Sequence, residues 1–304
     1  VKYRGYRLYG MQPPSSGGAT LGLILGLLEP FDLGSMGHNA PSYVHHLVEA
    51  ERLAFADRNR YLGDPDFVEV PLEGLLSASY LDSRRRLIPQ DIAGRSEDTP
   101  PGRLEAMETT HFCVVDRWGG CAAVTTTING GYGMGAVVPG AGFFLNNEMD
   151  DFSAAPGEPN AADLVLQGRA NAIAPGKRML SSMTPTIVTR ITDNGTEEPF
   201  LVVGAAGGPT IITSVLQIFL NVAHFGMNVR EAMDAPRFHH QHLPDLITIE
   251  PRTLSGHARV ELTRMGYSFK ARESIGSASA ITVLPGGVLE GWADGAGIGA
   301  GTGY

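Results

Sequence analysis

Five stretches of the chain place residues that can do chemistry at close spacing. The first is Thr109-Thr110-His111. A threonine hydroxyl is a poor nucleophile until a base takes its proton. One way to supply that base is to expose the threonine as a new N-terminus, whose own α-amine then serves. Such chemistry requires scission between Glu108 and Thr109, and a pliable upstream segment suits it because the severed end must clear the site. The plainer alternative is a linker running into a β-strand, where threonine is simply at home. The second stretch is Thr125-Thr126-Thr127-Ile128-Asn129. In a strand Thr125, Thr127 and Asn129 share one face. A hairpin would bring them beside Thr109, where hydroxyl and amide groups orient a nucleophile or a polar substrate. An exposed polar strand face is the commoner outcome.

The third stretch, Asn146-Asn147-Glu148-Met149-Asp150-Asp151-Phe152, gathers amides and carboxylates that hold an ammonium group or a hard cation. Its spacing does not match an EF-hand loop, and a solvated acidic loop is the bland alternative. The fourth is Leu201-Val202-Val203-Gly204-Ala205-Ala206-Gly207-Gly208, ahead of a helix. A strand, then glycines, then a helix N-terminus presents free backbone N–H groups and a positive dipole end. That geometry cradles a phosphate or stabilises an oxyanion beside a nucleophile, unless it is only a tight turn. Its glycine spacing fails the dinucleotide pattern. The fifth, His239-His240-Gln241-His242, suggests a metal, but adjacent histidines on an extended segment point opposite ways and no complementary ligand motif exists. Structural or surface histidines are expected there. Ser181-Ser182 has no lysine three residues on, and no Gly-x-Ser-x-Gly elbow occurs.

Periodicity supplies the elements that must position these groups. Residues 1–108 read as mostly helical. Pro13-Pro14-Ser15-Ser16-Gly17-Gly18 is a turn or helix entry, followed by an apolar helix from about Ala19 to Leu28. A second helix runs from Pro41 to about Tyr61, with Val44, Leu47, Val48, Phe55 and Arg58 spaced for one buried and one polar face. Gly63-Asp64-Pro65-Asp66 stops it. A shorter helix lies near 79–87, and Ser96 to Arg103 reads as a solvated linker. From Thr109 the pattern changes to strand pairs: 111–115 with 121–127, 184–192 with 199–204, and 280–284 with 288–292, each around a glycine turn. Helices are expected over 209–224, 229–235 and 255–265. Strand pairs flanking helices imply a layered α+β domain rather than βαβ units.

Composition narrows the function classes. The chain has 304 residues, 43% apolar and 18% charged, which excludes wholesale disorder. Lys plus Arg number 23 against 32 Asp plus Glu, a net charge of −9, which argues against nucleic acid as a partner. Cys113 and Cys121 are too few for a disulfide scaffold. The longest apolar run, 19–28, is about half of what a membrane span needs. The chain opens on Val1 without an initiator Met, so preceding sequence is expected.

Taken in order, these motifs resemble the γ-glutamyltransferase (glutathione hydrolase) family of N-terminal-nucleophile hydrolases. The matching stretches are Pro13 to Gly18, Tyr61 to Phe67, Thr109-Thr110-His111, Thr127-Ile128-Asn129, Leu145 to Phe152, Leu180 to Met183, Gly207-Gly208 and Ala235 to His240. The resemblance implies a four-layer αββα sandwich made as a self-cleaving precursor. Residues 1–108 would be the C-terminal part of the large-subunit region, lacking its N-terminal part. Residues 109–304 would be the small-subunit region, and together they form one αββα domain. It further implies that Thr109 is the nucleophile, oriented by Thr127. Asn129, Glu148 and Asp151 would hold the α-amino group of a γ-glutamyl substrate, and Ser181 and Ser182 its α-carboxylate. The backbone N–H groups of Gly207 and Gly208 would form the oxyanion hole. No cofactor or metal is implied, water or an amino acid accepts the glutamyl group, and a periplasmic or secreted setting is favoured. The arginine that pairs with the α-carboxylate in the family comes from the absent part, so this chain is not expected to supply it. Pro156 to Lys177 resembles the family's lid loop, with Ala162 where an aromatic gate is frequent, and Ala293-Asp294-Gly295 departs from an Asp-Pro-Arg pattern. Two alternatives keep the fold: an acylase of the cephalosporin or glutaryl type, and a non-catalytic fragment.

Overall fold

The computed structural model describes residues 1–98, 109–153, 155, 168–294 and 299–303. The chain begins with strands rather than helix: β1 (Lys2–Tyr3) and β2 (Tyr6–Gly10) form an antiparallel pair that buries Tyr3 and Leu8. The mostly helical reading of 1–108 does not include this short strand pair. Helices then follow: α1 (Gly17–Leu28), α2 (Leu33–Met36), α3 (Pro41–Tyr61), α4 (Leu72–Leu75) and α5 (Ala78–Arg85). α1 is apolar on every side and accordingly buried almost all round. Pro41 opens α3 at its first position, where its missing N–H costs nothing.

The remaining elements match the expected strand pairs and helices, with ends shifted by a few residues, except for three short strands at 238–239, 247–249 and 269–271 that were not expected. They are β3 (Thr110–Val115), β4 (Cys121–Thr126), β5 (Thr186–Ile191), β6 (Glu197–Ala206), α6 (Thr210–Phe225), α7 (Val229–Asp234), β7 (Phe238–His239), β8 (Ile247–Ile249), α8 (Gly256–Met265), β9 (Phe269–Ala271), β10 (Ser277–Val283) and β11 (Leu289–Ala293). Six strands form one antiparallel sheet in the order β1-β2-β5-β6-β10-β11. β7, β8 and β9 form a small separate sheet.

Alternation along β6 sets the layers. Leu201, Val203 and Ala205 join the core under the helices. Gly204, on the opposite face, lies against the His111 ring of β3. On β10, Ala278 and Ala280 likewise enter the core, while Ser279 bonds back to the hairpin through His111 O and Cys113 Sγ. The fold is therefore α+β, with helices, a six-stranded sheet and the β3–β4 hairpin stacked in that order. These are three layers of an αββα sandwich; among the described residues no outer helix layer covers the hairpin, whose Phe112, Val114 and Val124 are exposed.

Two local expectations are corrected. The supposed linker starts as a pinned segment: Ser96 is fully buried, its N–H donates to Asp245 Oδ2 at 2.7 Å, and its hydroxyl receives Arg52. Residues 99–103 of that linker lie outside the described residues, as do 156–167 of the expected lid, Ala162 included. The charges on the polar face of α3 are also not solvated: Glu49, Glu51, Arg52 and Asp57 are buried, as is Arg58 on the apolar stripe. Local periodicity reads charge as exposure, but distant partners here satisfy it inside.

Candidate active site

The hairpin register delivers the first two residues. Thr110 pairs with Thr126 and His111 with Thr125, so Thr109 and Thr127 meet one step beyond the ladder. Their hydroxyl oxygens stand 3.5 Å apart, a long contact of the kind that tightens when substrate binds. Thr127 Oγ1 accepts the Asn129 N–H at 2.8 Å. Asn129 takes φ +73°, a left-handed conformation that asparagine tolerates better than most residues, and this turns its side chain inward. Its Nδ2 donates to Asn147 O at 3.2 Å and Gly130 N–H donates to Asn147 Oδ1 at 2.7 Å. The strand exit is thereby laced to the single 3-10 turn of Glu148–Asp151.

Ser181 and Ser182 are held from two sides. Ser16 donates to Ser181 O from both N–H (2.8 Å) and Oγ (2.6 Å), Ser181 N–H donates to Pro14 O (3.1 Å), and Ser15 Oγ donates to Met183 O (2.5 Å). Upstream, the buried Asp64 carboxylate accepts from Arg178 N–H at 2.8 Å and Nε at 3.0 Å. Thus the Pro13–Gly18 and Gly63–Asp66 motifs serve as clamps on the serine segment. At the β6–α6 junction Gly207 and Gly208 have φ +129° and +59°, which only glycine adopts without strain. A methyl group on Gly207 would also come within 2.9 Å of Gly276 Cα.

These pieces converge on one cleft. Thr109, Thr127, Asn129, Glu148, Asp151, Ser181, Ser182 and Gly208 all line it, together with Leu180, Met183, Pro209 and Ile211. Gly207 does not: it lies one residue back, at the end of the strand. Its side of the expected pair is thus set by the backbone turn rather than by exposure to the cleft.

The electrostatics divide the cleft. On the acidic side, burial, the neighbouring Glu148 and Asp150 push the Asp151 carboxyl up to about 7, against the pull of Arg58 and a hydrogen bond from Asn129. Burial also raises Glu148. Among the described residues, Asn129 Oδ1 and Glu148 Oε2 are buried without hydrogen-bond partners. Buried acceptors left open in this way suit a ligand that brings N–H donors. Burial lowers His111 to about 4, so its ring is neutral; Nδ1 is 2.8 Å from Thr125 Oγ1.

Sequence reasoning missed Arg58, noted only for its helical spacing. It is fully buried and reaches Ser182 Oγ at 2.9 Å. The available signal was a charge on the apolar stripe of α3, one turn after Phe55. The histidine stretch is structural: His239, His240 and His242 are buried, and burial lowers all three, so they are neutral. His239 is 2.8 Å from both Thr213 Oγ1 and Gln241 Oε1.

The chain is similar to several known proteins. The family model described as gamma-glutamyltranspeptidase matches residues 1–304. A glutathione hydrolase proenzyme of Escherichia coli is 46% identical over 295 residues, 96% of this chain and 50% of that protein. The chain thus spans about half the length of the curated relatives it matches. Among solved structures, a T380A mutant of Helicobacter pylori gamma-glutamyltranspeptidase is 50% identical with a TM-score of 0.57, over 61% of this chain and 98% of that one. A cephalosporin acylase from Bacillus halodurans is 26% identical with a TM-score of 0.78, over 97% of this chain and 50% of that one.

Proposed function

Since the chain belongs to the gamma-glutamyltranspeptidase family, we propose that it carries the acyl-transfer centre of a γ-glutamyl hydrolase or transferase acting on γ-glutamyl amides such as glutathione. The carrying observation is the make-up of the cleft: a threonine hydroxyl lies between open acidic and amide acceptors on one side and two serines on the other. An α-amino acid presents an ammonium and a carboxylate from one carbon, and the two walls match those two charges.

In this reading the chain is cut between residues 108 and 109, and the freed amine of Thr109 takes the proton from its own hydroxyl. Oγ1 then attacks the γ-carbonyl carbon, with Thr127 orienting it. The tetrahedral oxyanion is met by the N–H group of Gly208 at the mouth of α6, where the helix dipole adds to it, with Gly207 completing the turn that presents it. The amide C–N bond breaks, the leaving amine receives the proton, and an ester on Thr109 remains. Water or an amino acid then attacks that ester. Asn129, Glu148 and Asp151 hold the ammonium, and Ser181 and Ser182 hold the carboxylate.

Turnover of γ-glutamyl-p-nitroanilide, together with an intact-mass measurement, tests this. Release of nitroaniline by a chain split at residue 109 is the expected result. An uncut chain with no turnover would overturn it and favour the non-catalytic reading. The overlap with a cephalosporin acylase supports a second reading, in which the acyl group is glutaryl. Glutaryl has no ammonium to meet Glu148 and Asp151, so a preference for glutaryl-p-nitroanilide would overturn the first reading in favour of the second.

A further inference from the structure

Arg58 heads the fully buried side chains by volume, yet no part of the mechanism above uses it. It leaves α3 and spends its donors on three acceptors: Nε on Ser16 Oγ at 2.8 Å, Nη1 on Asn59 Oδ1 at 2.9 Å, and Nη2 on Ser182 Oγ at 2.9 Å. A guanidinium only donates, and a hydroxyl carries a single proton. Each serine that Arg58 touches is therefore fixed as its acceptor and must send its own proton elsewhere. Ser16 sends it to Ser181 O at 2.6 Å. Ser182 lines the cleft, and among the described residues Arg58 is the one partner of its hydroxyl. Ser181 is fixed in the same sense, since its Oγ accepts the Met183 N–H at 3.1 Å. Both serines thus keep their own proton free to donate to whatever enters.

We propose that Arg58 is the positioning residue behind carboxylate selection: by donating to Ser182 Oγ it directs the Ser182 proton at the α-carboxylate of the bound γ-glutamyl unit, and it seats a positive charge behind that wall. The inference rests on the γ-glutamyl reading and deepens it. It also answers the expectation that this chain brings no arginine to the carboxylate side: it brings one, acting through a serine. Asp151, across the cleft, feels the same charge, so the cation balances both walls.

The test compares two donors, γ-glutamyl-p-nitroanilide with its α-carboxylate free and the same compound as its α-amide. Wild type, Arg58→Lys, Ser182→Ala and the double variant are assayed on each. Lysine keeps the charge but cannot span three acceptors. In Arg58→Lys, KM for the free acid should rise by about tenfold to a hundredfold, the worth of a hydrogen bond to a charged group, while kcat changes far less and the α-amide is affected little. Adding Arg58→Lys to Ser182→Ala should cost nothing more. Equal losses on both donors, or losses that multiply in the double variant, would show a merely structural residue and overturn the proposal. Where Arg58→Lys fails to melt cooperatively, Ser182→Ala alone decides, because a variant that keeps the wild-type preference for the free acid removes the premise. No turnover of either donor by wild type overturns the γ-glutamyl reading and this inference together, whereas turnover with unaltered preference in the variants overturns this inference alone.

Discussion

At the scale of single residues, the cleft depends on protons being in the right place. Thr109 Oγ1 has Thr127 Oγ1 as its neighbour at 3.5 Å, and among the described residues no His side chain lines the cleft to act as base. Replacing Thr109 by Ala should therefore abolish both scission and turnover, a loss of at least about 10³-fold by mass spectrometry and anilide assay, as for other nucleophile deletions. Thr109→Ser should retain part of each. Asp151 gives a pH signature. Its carboxyl sits near 7, so it is ionised above that pH and neutral below. Only the ionised form attracts an ammonium, so KM for a γ-glutamyl donor should climb as pH falls through about 7. The bound ammonium favours the charged form, so the inflection in kcat should lie lower than that in kcat/KM. Asp151→Asn should flatten the KM profile and raise KM at every pH above 7.

At the scale of elements, the nucleophile is only as well placed as the hairpin that carries it. β3 rests on β6 through His111 and Gly204, and a methyl group at 204 would overlap the imidazole. Gly204→Ala should cost about 1–3 kcal/mol by overpacking and lower kcat, because the ring it displaces lies two residues from Thr109; calorimetry and the anilide assay check both. The serine segment is pinned instead by Asp64. Its side-chain hydrogen bond from Arg178 holds the carboxyl at about 2, below the ordinary value of about 4. A depressed carboxylate contributes stability that is whole above its unfolded pKa and is lost as pH falls through the folded one. Asp64→Asn should then melt below wild type at neutral pH, and the gap should close between about pH 4 and pH 2.

At the scale of the whole molecule, the boundary at residue 109 divides the chain but not the structure. β2 pairs with β5 across it, and one hydrophobic core takes Leu21, Ile24 and Phe55 from before it and Leu201, Ile212 and Phe219 from after. Buried Arg52 and Ser96 meet the part-exposed Asp245, and this set ties the end of the first part to the second. If the chain is cut, the two pieces should co-elute as one peak in native size-exclusion chromatography and separate only in denaturant. Two native peaks would show that the shared core does not hold them.

Much of this was legible beforehand because periodicity and turn chemistry are local. The apolar run of α1, the proline-opened α3 at 41–61 and the glycine-centred hairpins each report their own backbone preference, and the order of the motifs carried the family. What the sequence could not report was where a charge goes when its partner is far along the chain. Arg58 meets Ser182 at a separation of 124 residues and Arg52 meets Asp245 at 193, so a helix face that reads as solvated is in fact interior. The two-residue β1 gives too short a run for alternation to register, and it exists because β2 has β5 to lean on. Local patterning decided which elements form; only their packing decided which polar groups are buried, and hence how the cleft is charged.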